Sequence, residues 1–187
     1  MLFGANPEAG MDWSDSALEA NHRQMFSIID AVDAALGMGH SPGPMDEWLM
    51  ARLRGNQGAW CQAMSGVSLR EGVMVSHFEM LADWNWYRRR GGCDRITAIE
   101  YLTHWVPMLA PATPHIAEEF WQQCDGDGLL ANHVLTVLGE SSQDAPALAR
   151  ETYLRNLIDS ARNLRELAER HSKGCLLYTS PSPRDRG

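Results

Sequence analysis

The chain has 187 residues, 44% hydrophobic and 21% charged, and a formal net charge of −8. That length suffices for one core, those proportions argue against a disordered chain, and no apolar run approaches the roughly 20 residues that span a bilayer. The acidic balance excludes a surface that binds nucleic acid throughout, so an RNA contact has to be a local basic patch.

Residues 1–13 contain Pro7 and two glycines and read as a connecting segment; they carry no basic stretch followed by a long apolar one, so no signal peptide is expected. A helix starts at Ser14. Ser16 and Glu19 have capping-box spacing, and Leu18, Met25, Ile29, Val32 and Leu36 recur at the helical period until Gly37 and Gly39. After the loop 37–44, a second helix runs from Met45 to Met64 with Trp48, Leu49, Leu53, Trp60 and Met64 inward. Gly55 and Gly58 weaken its middle by about 1 kcal/mol each. The third predicted helix, Leu69 to Arg90, lines up Val73, His77, Met80, Leu81, Trp84 and Tyr87 on one face and ends in Arg88, Arg89 and Arg90 before Gly91 and Gly92. A fourth, Asp94 to Leu109, carries Ile96, Ile99, Leu102 and Val106.

Pro111 and Pro114 then predict a sharp corner, because the residue before a proline is pushed toward extended geometry and both Ala110 and Thr113 stand there. A new helix starts at Pro114, with Thr113 as cap and Glu118 and Glu119 near its positive end. Ile116 and Phe120 form its apolar stripe, with Trp121 beside them. Asp125 to Gly128 breaks the chain, and residues 129–138 fit either a short helix or a strand. Pro146 opens a last helix to about His171, with Leu148, Leu154, Leu157, Ile158, Ala161, Leu164 and Leu167 inward. From Cys175 the periodicity ends, and CLLYTSPSPRDRG resembles a translated sequencing adapter; residues 173–187 are expected to be a disordered, non-native tail that packs on nothing.

Cys61, Cys93, Cys124 and Cys175 show no C-x-x-C spacing and read as the reduced thiols of a cytoplasmic protein. His115 to Glu119 falls one residue short of an inverted zinc-protease motif, since glutamate replaces the second histidine. Glu19 and His22 have the spacing of a di-iron helix but no second pair. No nucleophile elbow or phosphate-gripping glycine loop occurs. The best functional candidate is Arg88, Arg89 and Arg90 with Arg95 just past the turn, because guanidinium forks grip phosphate oxygens. Its bland counterpart is a solvated helix end complementing the macrodipole, worth about 0.3–1 kcal/mol. Trp84, Trp86 and Tyr87 could stack on bases, although rings at helical spacing more often build a core. Arg155, Arg162 and Arg165 offer a second strip, with intrahelical pairing to interleaved Glu151, Asp159 and Glu166 as the alternative.

The corner LAPATPHIAEEFW, residues 109–121, resembles that of class I aminoacyl-tRNA synthetases for aliphatic amino acids, and its Pro114 to Glu119 run resembles the leucyl-tRNA synthetases most. HFEMLADWNWYRRR, residues 77–90, is similar to the archaeal and eukaryotic type of that family, and residues 1–13, ending in Asp12 and Trp13, resemble the end of its catalytic part. The family's Trp-Pro pair is missing from residues 125–145, so the resemblance there is weakest. It implies an all-α fold, a helical bundle of the anticodon-binding type over residues 14–172, with residues 1–13 as a connector from a missing catalytic domain. It further implies a tRNA-binding role for Arg88, Arg89, Arg90 and Arg95, and as partners tRNA(Leu) and the parent's catalytic domain, with no membrane. The histidine-glycine-histidine and lysine-serine-lysine signatures for ATP are absent, so the chain should hold no catalytic residue, cofactor or metal; ATP and Mg belong to the parent, which joins leucine to its tRNA in the cytoplasm. Two other readings stay open: a helical scaffold without RNA, and the same domain of a valyl, isoleucyl or methionyl enzyme.

Overall fold

The computed structural model describes residues 14–177, giving backbone alone for 171–177. The expected connector, and the tail from residue 178 onward, lie outside the described residues. These contain six helices and no strand. The chain divides into two units at Leu148, inside the last helix.

In the first unit, α1 (Asp15–Leu36) is capped by Ser14, whose Oγ accepts from Ala17 N at 3.4 Å, rather than by Ser16. Its inward face runs through Ile28, Ala31, Val32 and Ala35, while Leu18 is exposed. The alanines let neighbouring helices approach closely, so Met25, Ile29 and Leu36 only flank the contact. α2 (Pro44–Ser65) starts with Pro44 at its first position, and the Asp46 carboxylate accepts from Gly43 N at 2.7 Å. It buries Trp48, Leu49 and Leu53, and also the polar Asn56 and Gln57.

The third rod, α3, is continuous but not uniform: α-helical Leu69–Met74 and Met80–Arg89 flank a π-helical turn, Val75–Glu79. A wide turn tilts carbonyls out of the helical ladder, and side chains from two other helices take them. Trp105 Nε1 donates to Ser76 O at 2.6 Å, Tyr101 Oη to Met80 O at 2.8 Å, and Gln24 Nε2 to His77 O. All six side chains expected on the inner face of α3 are buried.

α4 (Arg95–Leu109) has Asp94 as its cap. Tyr101 and Trp105 are its largest core residues, stacked in a column with Trp84 and Tyr87; Trp84 lies 6.1 Å from Tyr101, which lies 5.7 Å from Trp105. Ile96, expected inside, is exposed because Thr97 and Ala98 take the inward positions of that turn. The helix stops at Leu109 and α5 (Pro114–Gln123) begins at Pro114, as the prolines require.

Two details of the corner differ from expectation. Ala110 keeps helical angles, φ −55° and ψ −39°, because its N–H bonds Pro107 O in a tightened last turn. Thr113 does not cap α5 with its side chain; its Oγ donates back to Leu109 O at 3.1 Å, and the same oxygen also accepts the Ala112 and Thr113 amides. α5 buries Ala117, Phe120 and Trp121. Glu118 accepts from Leu130 N at 3.0 Å, which starts a 3-10 turn at Leu130–Asn132.

The following residues up to 143 form neither helix nor strand. Gln57, with no exposed surface, holds them: its Nε2 donates to Thr136 O at 3.2 Å and its Oε1 accepts from Leu138 N at 3.0 Å. α6 (Asp144–Leu177) starts where Arg54 meets Asp144 at 2.6 Å, and Ala147 is buried.

In the second unit α6 runs on past His171 to Leu177. Leu154 and Ile158 are half-buried, but Leu157, Ala161, Leu164 and Leu167, expected inward, are exposed. Two of the three arginines of the second strip are paired along the helix, Arg165 with Glu169 at 2.9 Å and Arg162 with Asp159 at 3.3 Å, which is the intrahelical alternative for those two.

Candidate nucleic-acid interface

The four candidate arginines lie on either side of one turn, between the end of α3 and the start of α4. The turn has this shape because of two glycines. Gly91 has φ +87°, a conformation costly for other residues, and a Cβ on Gly92 would lie 2.2 Å from the Tyr87 ring. The chain therefore folds flat across the tyrosine.

Beneath it Tyr87 is wholly buried, and its hydroxyl joins two helix starts. It donates to the Asp46 carboxylate of α2 at 2.7 Å and accepts the Asp94 amide at 3.0 Å. Burial, and then the Asp46 acceptor, push the phenol's pKa up, so it stays a donor. Asp94 gathers four donors. One oxygen meets His40 Nδ1 at 2.6 Å and accepts Ser41 N at 3.2 Å; the other accepts Thr97 N at 3.0 Å and Thr97 Oγ at 3.1 Å. The Thr97 amide above all, then the Thr97 hydroxyl and His40, hold this carboxyl below the usual range against the opposing effect of burial. The loop after α1, the start of α2, the end of α3 and the start of α4 are thus fastened to one another.

Arg88, Arg89 and Arg90 are exposed on this fastened end. Arg88 reaches Gly92 O at 3.4 Å, and the Arg89 guanidinium carbon lies over the half-buried Trp86 ring at 5.8 Å from its centre, a cation–π distance. Arg95 is committed differently: its guanidinium donates to Leu36 O at the negative end of α1, and its amide to Gly39 O at 2.8 Å. Of the nearby rings, Trp84 and Tyr87 are core and only Trp86 is partly exposed.

His115 is exposed on α5, and no group of three or more His, Cys, Asp or Glu side chains among the described residues could hold a metal. No described helix is long and apolar enough to cross a membrane. His77, buried under the corner, is a different matter. Its Nδ1 meets Ser76 Oγ at 2.8 Å and its Nε2 meets Thr113 Oγ at 3.4 Å, and burial lowers its pKa to about 4. It is a neutral structural imidazole. Sequence reasoning placed it on the inner face but missed its polar partners, along with the Tyr87 bridge and the Gln57 clamp. The sequence reading began the fourth helix at Asp94, which in the structure is its cap instead.

The helical bundle thus exposes three arginines at one end, over a turn fastened by Tyr87 and Asp94, and comparison with known proteins gives its family. A model of the anticodon-binding domain of tRNA ligases matches residues 46–173, and the chain belongs to that family. Among curated proteins it is similar to the leucine–tRNA ligases of Archaeoglobus fulgidus (29% identity, 89% of this chain, 18% of the relative), Methanothrix thermoacetophila (31%, 73% and 14%) and Methanococcoides burtonii (25%, 97% and 19%). It spans less than a fifth of the length of these relatives. Among solved structures it shares its fold with the agnB2 LeuRS of Agrobacterium radiobacter K84, determined in a ternary complex with tRNA and LeuAMS. That match has TM-score 0.57 and 19% identity, over 74% of this chain and 19% of the other.

Proposed function

We propose that this chain is the tRNA-docking helical domain of a leucine–tRNA ligase of the archaeal and eukaryotic type, whose cytoplasmic parent attaches leucine to tRNA(Leu) using ATP. The observation that carries this reading is the trio Arg88, Arg89 and Arg90, exposed on a helix end that Tyr87 and Asp94 make rigid. Supporting it, the curated relatives are leucine–tRNA ligases over most of this chain's length, and the solved neighbour was determined with tRNA. The trio grips backbone phosphates, so it positions the tRNA without reading its sequence. Arg95 acts by holding the end of α1 in place rather than by touching RNA. Catalysis, with its ATP and Mg, belongs to a catalytic domain of the parent outside this chain.

The test is filter binding of tRNA(Leu) to the chain at low and moderate salt, comparing wild type with the R88A/R89A/R90A variant. Wild type should bind with steep salt dependence. The variant should bind weakly, with the slope of log affinity against log salt reduced by about 2 to 3, roughly one per lost phosphate contact. A variant that binds like wild type overturns the role of the arginine trio, and a wild type with no salt-sensitive binding overturns the reading and favours a helical scaffold that does not use RNA.

A further inference from the structure

At the end of the bundle that carries Arg88, Arg89 and Arg90, the Asp94 network holds one further side chain that stays open to solvent. His40 lies in the loop between α1 and α2. That loop is tied down beside α4, where Arg95 N donates to Gly39 O at 2.8 Å and Ser41 N to Asp94 at 3.2 Å. His40 Nδ1 meets Asp94 Oδ1 at 2.6 Å, while the side chain remains 62% exposed and its Nε2 has no partner among the described residues. The amide of Asp94 is bound in turn by Tyr87, the residue before Arg88. Histidine and arginines therefore share one mount.

The bond to Asp94 decides what the remaining nitrogen does. Asp94 is ionised, its carboxyl held below the usual range above all by the Thr97 amide, and an ionised carboxylate only accepts. The shared proton therefore sits on Nδ1, and in the uncharged ring Nε2 carries a lone pair and no hydrogen. A nucleic-acid backbone offers such an acceptor one donor. Its phosphate oxygens only accept, whereas the ribose 2′-hydroxyl donates, and a DNA strand has no such group. We infer that His40 Nε2 accepts the 2′-hydroxyl of a ribose whose neighbouring phosphates lie on Arg88, Arg89 and Arg90. The arginines attract any polyanion of suitable shape; His40 makes the site prefer RNA. This inference rests on the tRNA-docking reading above and assigns the choice of RNA over DNA to a residue outside the arginine trio.

Fluorescence-anisotropy titration of the full chain tests it, at about pH 8, above the ordinary imidazole range. Two labelled forms of the anticodon stem-loop of tRNA(Leu) serve as probes. One has ribose throughout; in the other, fluorine replaces each 2′-hydroxyl, which keeps the charge and helical form of RNA but leaves no hydrogen to donate. Wild type should bind the ribose form more tightly, by about three- to tenfold for the one neutral hydrogen bond. His40→Ala should lose that factor on the ribose form alone and bind the fluorinated form as wild type does. A wild type that binds the two forms equally, or a His40→Ala variant that keeps the full preference or weakens on both forms alike, overturns this inference and leaves the arginine reading standing. A wild type that binds neither form overturns both.

Discussion

The indole Nε1–H of Trp105 donates to the carbonyl of Ser76 at 2.6 Å, bridging α4 to the π-helical turn of α3. Both groups are buried. Trp105→Phe removes this donor from the Ser76 carbonyl and leaves a gap where the larger indole stood, which together should cost about 2–5 kcal/mol. Urea unfolding checks it: the midpoint should fall while the far-ultraviolet spectrum of the folded state is unchanged.

Tyr87→Phe removes the one hydroxyl shared by Asp46 and the Asp94 amide, and should likewise destabilise by about 1–3 kcal/mol. Gly92→Ala should be worse, because its methyl would lie 2.2 Å from a fully buried ring that has no room to withdraw. Thermal melts of the two variants should rank them in that order.

His77 makes the fold sensitive to acid. Its pKa is about 4 in the folded chain against 6.5 for the free side chain, so between those values the unfolded state binds a proton that the folded state does not. Stability attributable to this group is therefore full above pH 6.5 and falls as the pH drops toward about 4, by roughly 3 kcal/mol in all. His77→Gln should flatten that part of the profile, as measured by unfolding free energies across the interval.

The arginines should separate by what they hold. Arg95→Ala removes the donor from Leu36 O and should lower stability by about 0.5–1.5 kcal/mol, whereas R88A/R89A/R90A, exposed throughout, should shift the melting midpoint little and act on tRNA affinity. Equal destabilisation by both would contradict this division.

Val67, in the turn between α2 and α3, has φ +58° and is 77% exposed. A β-branched residue is strained there. Val67→Gly should stabilise the chain by about 1 kcal/mol, read from the urea midpoint.

What was legible in the sequence follows from which forces are local. The periodic apolar positions of α3, and the paired prolines that end α4 and start α5, act within a few residues, and those elements stand as expected. The inward rotation of α1 was misjudged because alanines that let helices close carry a weaker signal than Leu18. The π turn could not be foreseen, since the donors that stabilise it, Gln24, Tyr101 and Trp105, come from other helices. The same holds for residues 129–143, whose course is set by a buried amide far back in the chain. Arginines 88–90 were visible as a cluster; the commitment of Arg95 to the end of α1 required the tertiary structure.

The fastening of four chain segments around Tyr87 and Asp94 bears on how an incoming polyanion is met. Arginines mounted on a frame that is already stiff lose only side-chain freedom on capture, so little of the attraction is spent ordering backbone. On the proposed reading, the points from which the three side chains extend are thus set before the RNA arrives, and the cost of capture falls on those side chains alone.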